Sequence, residues 1–127
     1  MSSEERKKIL MIDDDKVQLI IAQKSLKEDY EFTTVNSGQK ALKLFYEGFV
    51  PNLILLDILM PEMDGWEVFK LIKAISLLHD VPIAFLTSLH EAGNEDHAFE
   101  LGAADYIRKP FKEDDLRKRI KVILERA

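Results

Sequence analysis

Short apolar runs alternate along the chain with longer stretches in which apolar side chains recur at helical spacing. Five segments read as strands: Lys8–Ile12, Glu31–Val35, Leu53–Leu56, Ile83–Thr87 and Tyr106–Arg108. Three of them carry uninterrupted apolar cores, ILMI, LILL and IAFL, the pattern of strands covered on both faces by helices. The stretch Phe32–Val35 (FTTV) is more polar and suits a sheet edge. Helical patterns lie between the strands. Val17, Ile20, Ile21 and Lys24 to Leu26 follow Asp15, an N-cap residue type. Ala41, Leu42, Leu44 and Phe45 follow Ser37 and stop at Gly48. Val68, Phe69, Ile72 and Ile75 follow Asp64 and share one helical face. Residues 91–101 (EAGNEDHAFEL) predict a helix only weakly, because Gly93 disfavours one and apolar positions are few. The last helix runs from Asp114 to about Arg126, with Leu116, Ile120, Ile123 and Leu124 on one side and Arg117–Lys121 supplying a basic, solvated face. Turns are marked at Pro51-Asn52, Asp64-Gly65 and Gly102.

Strands alternating with helices imply an α/β domain: a doubly wound, five-stranded parallel sheet with five helices on its two faces. In such a sheet all strand C-terminal ends share one edge, and ligands bind there. Length agrees with one domain spanning 1–127. A 46% hydrophobic and 32% charged composition fits a folded globular chain. The net charge of −5 argues against direct binding to nucleic acid or to an anionic membrane. No apolar run is long enough to span a bilayer, and MSSEERKK leads into no signal-peptide core. With no cysteine there is no disulfide or thiolate metal site, and a cytoplasmic location is expected.

The shared edge collects a specific chemistry. The first strand is followed by Asp13, Asp14 and Asp15, the third by Asp57, the fourth ends in Thr87-Ser88, and the fifth leads into Lys109-Pro110. Carboxylates, a hydroxyl and one ammonium are the groups needed to hold a hard divalent cation against a phosphoryl group. Mg2+ is the cation expected, since it takes oxygen ligands and retains several waters.

The stretches ILMIDDDK, LILLDILMPEMDG, PIAFLTS and GAADYIRKPF resemble the receiver domain of bacterial two-component response regulators, in order and over nearly the whole chain. The resemblance implies the flavodoxin-like strand order 2-1-3-4-5. It implies Asp57 as the phosphoacceptor, taking a phosphoryl group from a phosphohistidine on a sensor histidine kinase or phosphotransfer protein. Asp14 matches the direct Mg2+ ligand, Asp13 its water-mediated partner, and the backbone carbonyl of Leu59 the third protein donor. Thr87 and Tyr106 match the switch pair. Lys109 matches the phosphoryl-binding lysine, joined to Pro110 by a cis bond. Asp15 has no place in that site and reads as a helix N-cap. Leu59 and Leu89 match the side chains that flank the path of a hydrolytic water. Both are apolar here, which predicts a long-lived acyl phosphate. Trp66, Phe69 and Phe85 read as packing, and His79, His90 and His97 as isolated and exposed.

Two departures from the family pattern stand out. Ser88 occupies a position where alanine is common. Ala104 replaces the first aspartate of a GADDY pattern, which weakens the expectation of a homodimer through the face between the fourth and fifth helices. The resemblance also allows an output domain as partner. An alternative reading is an aspartate-nucleophile phosphatase of the haloacid dehalogenase type, since Asp13-Asp14-Asp15-Lys16-Val17 fits DxDx[TV] and a late acidic pair stands at Asp114-Asp115. A flavin-binding module is disfavoured, because no Ser/Thr-rich loop follows the first strand.

Overall fold

A computed structural model describes residues 6–127. Its elements in chain order are β1 (Lys8–Ile12), α1 (Lys16–Leu26), β2 (Glu31–Val35), α2 (Gly38–Tyr46), β3 (Leu53–Leu56), α3 (Gly65–Lys73), β4 (Ile83–Thr87), α4 (Ala92–Glu100), β5 (Asp105–Arg108) and α5 (Glu113–Arg126). A single 3-10 turn, Ser76–Leu78, lies between α3 and β4. The strands form one parallel sheet in the order β2-β1-β3-β4-β5. The polar β2 is an edge strand, as its composition predicts.

The continuously apolar strands have a simple cause. Successive side chains on a strand point to opposite faces, and here both faces are covered. Leu10, Ile12, Ile54, Leu56, Ile83 and Phe85 pack with α2, α3 and α4 on one side. Ile9, Met11, Leu53, Leu55, Ala84 and Leu86 pack with α1 and α5 on the other. Each face therefore draws alternate residues from the same three strands.

Helix starts follow from side-chain capping. Asp15 accepts from the N–H groups of Val17 and Gln18, Ser37 from Lys40, and Asp64 from Glu67. One helical face differs from the sequence expectation. Val17, Ile20 and Ile21 point outward, Val17 with 62% of its surface exposed, while Leu19, Ala22, Ser25 and Leu26 face the sheet. The helix is apolar on two sides, so periodicity alone did not distinguish them. Residues 92–100 are helical despite Gly93, although only Ala98 of that helix is buried. The fifth strand begins at Asp105, one residue earlier than expected, with Asp105 in register with Ala84.

Candidate functional site

The sheet brings the ends of β1, β3, β4 and β5 together, and the expected residues with them. One ligand oxygen from each of Asp13, Asp14 and Asp57 lies within 4.8 Å of the other two. Lys109 Nζ is 2.5 Å from Asp13 Oδ2 and 3.5 Å from Asp57 Oδ2. Asp13 and Asp57 are buried, and Asp14 is exposed at the rim. The site opens into a cleft of about 580 Å³ lined by Asp14, Gln18, Asp57, Leu59, Ser88 and Lys109.

Each side chain is held by local structure. Asp57 follows β3 directly, and its N–H extends the ladder to Ile12 O at 2.9 Å. Its Oδ1 accepts from Ile58 N–H at 2.8 Å, which leaves Oδ2 as the freer oxygen. The loop beyond it folds back on itself: Gly65 N–H donates to Ile58 O at 2.9 Å. A Cβ on Gly65 would lie 2.2 Å from Asp57 O, so only glycine allows that approach. Asp13 Oδ1 accepts from Asp15 N–H at 2.9 Å. Lys109 N–H donates to Thr87 O at 2.8 Å, and the bond from Lys109 to Pro110 is cis.

Three carboxylates face one ammonium, so full ionisation leaves two negative charges uncompensated in a largely desolvated place. Burial is the main cause that pushes the Asp13 carboxyl up to about 6, against the opposing hydrogen bond from Lys109. Clustered oxygen donors with a deficit of positive charge suit a hard divalent cation. The donor set, all carboxylate oxygen with an open side toward water, fits Mg2+.

Thr87 and Tyr106, the residues expected to form a switch pair, both lie beside the loop that follows β4. Thr87 is fully buried, and its Oγ1 accepts from Leu89 N–H at 3.4 Å. Tyr106 is turned inward with 2% of its surface exposed, and its O–H donates to Leu89 O at 2.8 Å. Burial raises the phenol above its ordinary pKa. The Tyr106 ring packs near Phe85, which meets Trp66 and Phe69, as expected of packing aromatics. All three histidines are exposed, although His97 lies edge-on to Trp66 and His90 Nε2 sits 2.7 Å from Lys109 O. That last contact has no signal in the sequence.

Two expectations change with these positions. Leu59 is 52% exposed at the cleft mouth, but Leu89 packs against the core under α2–α4 instead of lining the cleft. Asp114 and Asp115 lie in the first turn of α5, where Asp115 pairs with Arg119 at 2.9 Å. The dehalogenase-type reading therefore lacks its second acidic pair at the site. Among the described residues no helix is long and apolar enough to cross a membrane.

Comparison with known proteins agrees with this geometry. The family model described as the response regulator receiver domain matches residues 9–121. The chain is 38% identical over 122 residues to the alkaline phosphatase synthesis transcriptional regulatory protein PhoP of Bacillus subtilis, covering 95% of this chain and 50% of that one. It is 36% identical over 125 residues to a "Probable transcriptional regulator ycf27" of Guillardia theta, covering 98% and 48%. The chain thus spans about half the length of these curated relatives. Among solved structures, the signal receiver domain of a signal transduction histidine kinase from Syntrophus aciditrophicus superposes with a TM-score of 0.83 at 32% identity, over 95% of this chain and 92% of that one. The chain belongs to the response regulator receiver domain family of two-component signalling.

Proposed function

We propose that Asp57 is the phosphoacceptor of this receiver domain and that phosphorylation depends on Mg2+ held by Asp13, Asp14, Asp57 and the carbonyl of Leu59. The convergence of three carboxylates and Lys109 on one cleft carries this reading. Asp57 Oδ2 attacks phosphorus as the P–N bond to a phosphohistidine breaks, and the electron pair of that bond leaves on the imidazole nitrogen. The product is an acyl phosphate. Lys109, with little exposure to solvent, offers its ammonium to the phosphoryl oxygens, where a low local dielectric strengthens the attraction. Mg2+, held by these carboxylates and the Leu59 carbonyl, would supply the remaining positive charge. The donor is a sensor histidine kinase or phosphotransfer protein, and the domain catalyses only its own phosphorylation and dephosphorylation.

Thr87 and Tyr106 carry the response. A phosphoryl group on Asp57 brings close to two negative charges. Thr87 Oγ1 donates to it and gives up the Leu89 N–H, and the inward position of Tyr106 is then favoured over an outward one. The effect is a population shift, because the phosphoryl group interacts better with one state. The face made by α4, β5 and α5 changes shape for an output domain or a second copy.

With Mg2+ and acetyl phosphate the protein should gain one acid-stable, base-labile phosphoryl group. Asp57→Asn should abolish it, and Asp14→Ala should strongly weaken the metal dependence. Labelling that persists in Asp57→Asn and disappears in Asp13→Asn would sink the reading. Amide shifts on adding beryllofluoride should extend from the Asp57 loop into residues 99–120. Silence there would exclude a relay through Thr87 and Tyr106.

A further inference from the structure

The loop from Ser88 to Glu91 reaches the site with little main-chain support. Among the described residues, Ser88, Leu89 and His90 make no backbone–backbone hydrogen bond. Side chains hold this loop instead. Thr87 Oγ1 accepts from Leu89 N–H, Tyr106 O–H donates to Leu89 O, and His90 Nε2 lies 2.7 Å from Lys109 O. A carbonyl oxygen only accepts, so His90 carries a proton on Nε2 and donates it to Lys109 O.

Lys109 is thereby fixed at both main-chain groups. Its N–H donates to Thr87 O at the end of β4, and its C=O accepts from His90 in the loop that follows β4. The flexible side chain of Lys109 starts from this clamped backbone to reach Asp13 and Asp57. Without the His90 bond, the carbonyl before Pro110 is left to solvent. The loop is then held only through its two contacts at Leu89.

We infer that His90 is a positioning residue that couples the loop after β4 to Lys109, so that the loop's closed arrangement and the phosphoryl-ready lysine form together. This rests on the reading of Lys109 as the phosphoryl-binding cation. Coupling of this kind is reciprocal. A phosphoryl group gripped by Lys109 stabilises the closed loop, and anything that holds the loop closed strengthens the grip on the phosphoryl group. His90 touches neither the carboxylates nor the phosphoryl position, so metal affinity and phosphoryl affinity should separate in its variants.

The experiment measures beryllofluoride and Mg2+ affinities of the whole chain, read by the fluorescence of its single tryptophan, Trp66, for wild type, His90→Ala, His90→Phe and His90→Gln. His90→Ala and His90→Phe should each weaken beryllofluoride binding about fivefold, the effect of one ordinary hydrogen bond, with Mg2+ affinity unmoved. His90→Gln restores an N–H donor at similar reach and should recover most of the loss. The side-chain nitrogen spectrum of wild type should show the Nε2–H tautomer at His90. Equal beryllofluoride affinity in wild type and His90→Ala overturns the inference, as does a loss in His90→Gln as large as in His90→Phe. A wild type that neither binds beryllofluoride nor labels at Asp57 overturns the functional reading itself, and the inference falls with it.

Discussion

The loops that follow β3 and β4 border the same cleft and are built in opposite ways. The first, from Ile58 to Asp64, is knitted by main chain: Met60 N–H to Ile58 O, Met63 N–H to Pro61 O, Gly65 N–H to Ile58 O. It ends in an α3 that is capped by Asp64 and buries Val68, Phe69 and Ile72. It even holds Glu62 at a φ of 67°, a conformation that costs a non-glycine residue about 1–2 kcal/mol. The second loop relies on the side chains of Thr87, Tyr106 and His90, and leads into an α4 without a side-chain cap that buries only Ala98. Main-chain bonds resist rearrangement because several must break at once. Single side-chain bonds can be exchanged one by one. On the proposed reading, the nucleophile Asp57 stands at the entrance to the first loop, and the two-state response belongs to the second.

The largest test of this contrast is one substitution made on each side. Gly65→Ala places a Cβ 2.2 Å from Asp57 O and 2.7 Å from Ile58 Cα, both main-chain atoms that cannot yield cheaply. It should cost about 3 kcal/mol in denaturant unfolding and remove labelling at Asp57. Unchanged stability would show that the first loop is not rigid. The counterpart, Gly93→Ala in α4, meets no atom within 4 Å and belongs at the small end of the series.

The buried carboxylate just past the end of β1 gives the next effect. Asp13 has its pKa raised from 3.8 to about 6 by burial, so it favours the folded state when protonated. That contribution is fully present below the unfolded value and is lost as pH rises through about 6. On the proposed reading Mg2+ binds the cluster with Asp13 ionised, so its affinity should climb up to about tenfold per pH unit across this interval and level off above it. Titrations of metal-free and Mg2+-loaded protein should show thermal stabilisation by Mg2+ growing with pH over the same range. A flat Mg2+ affinity between pH 4 and 6 would remove Asp13 from the site.

A smaller effect concerns the lifetime of the acyl phosphate. Leu59, at the cleft mouth, offers no group to orient a hydrolytic water, so self-dephosphorylation should be slow. Leu59→Asn should speed the single-turnover decay about tenfold, equivalent to about 1.4 kcal/mol of barrier. Leu89→Glu alone should do less, because Leu89 is turned onto the core. Equal acceleration by the two would mean that the second loop swings Leu89 to the cleft in the phosphorylated state, which would sharpen the contrast drawn above. At the small end, Gly93→Ala should raise stability by up to about 1 kcal/mol. It should also leave labelling of Asp57 unchanged. A loss of stability there would mean that α4 depends on glycine for a reason its backbone does not reveal.

Much of this was legible in the residues. The bounds of β1 to β4 were readable because apolar runs end abruptly at charged or turn residues, and the caps Asp15, Ser37 and Asp64 announced three helices. Asp13, Asp14, Asp57 and Lys109 were readable as a set because a parallel sheet gathers strand ends on one edge. The outward face of α1 was not, since Val17, Ile20 and Ile21 share a helical spacing as regular as that of the buried residues. α4 gave a weak signal because a helix that buries one alanine has little apolar periodicity to display.

By itself, then, the sequence determined the order of elements, the doubly covered sheet and the identity of the groups on its edge. These follow from periodicity and local capping, which depend on near neighbours along the chain. Only the tertiary structure decided that Tyr106 points inward onto Leu89 O, that Leu89 leaves the cleft to Leu59, and that His90 clasps the carbonyl of Lys109. The two hydrogen bonds join residues 17 and 19 positions apart in the chain, and all three outcomes are settled by competition for space and hydrogen-bond partners after the sheet has closed.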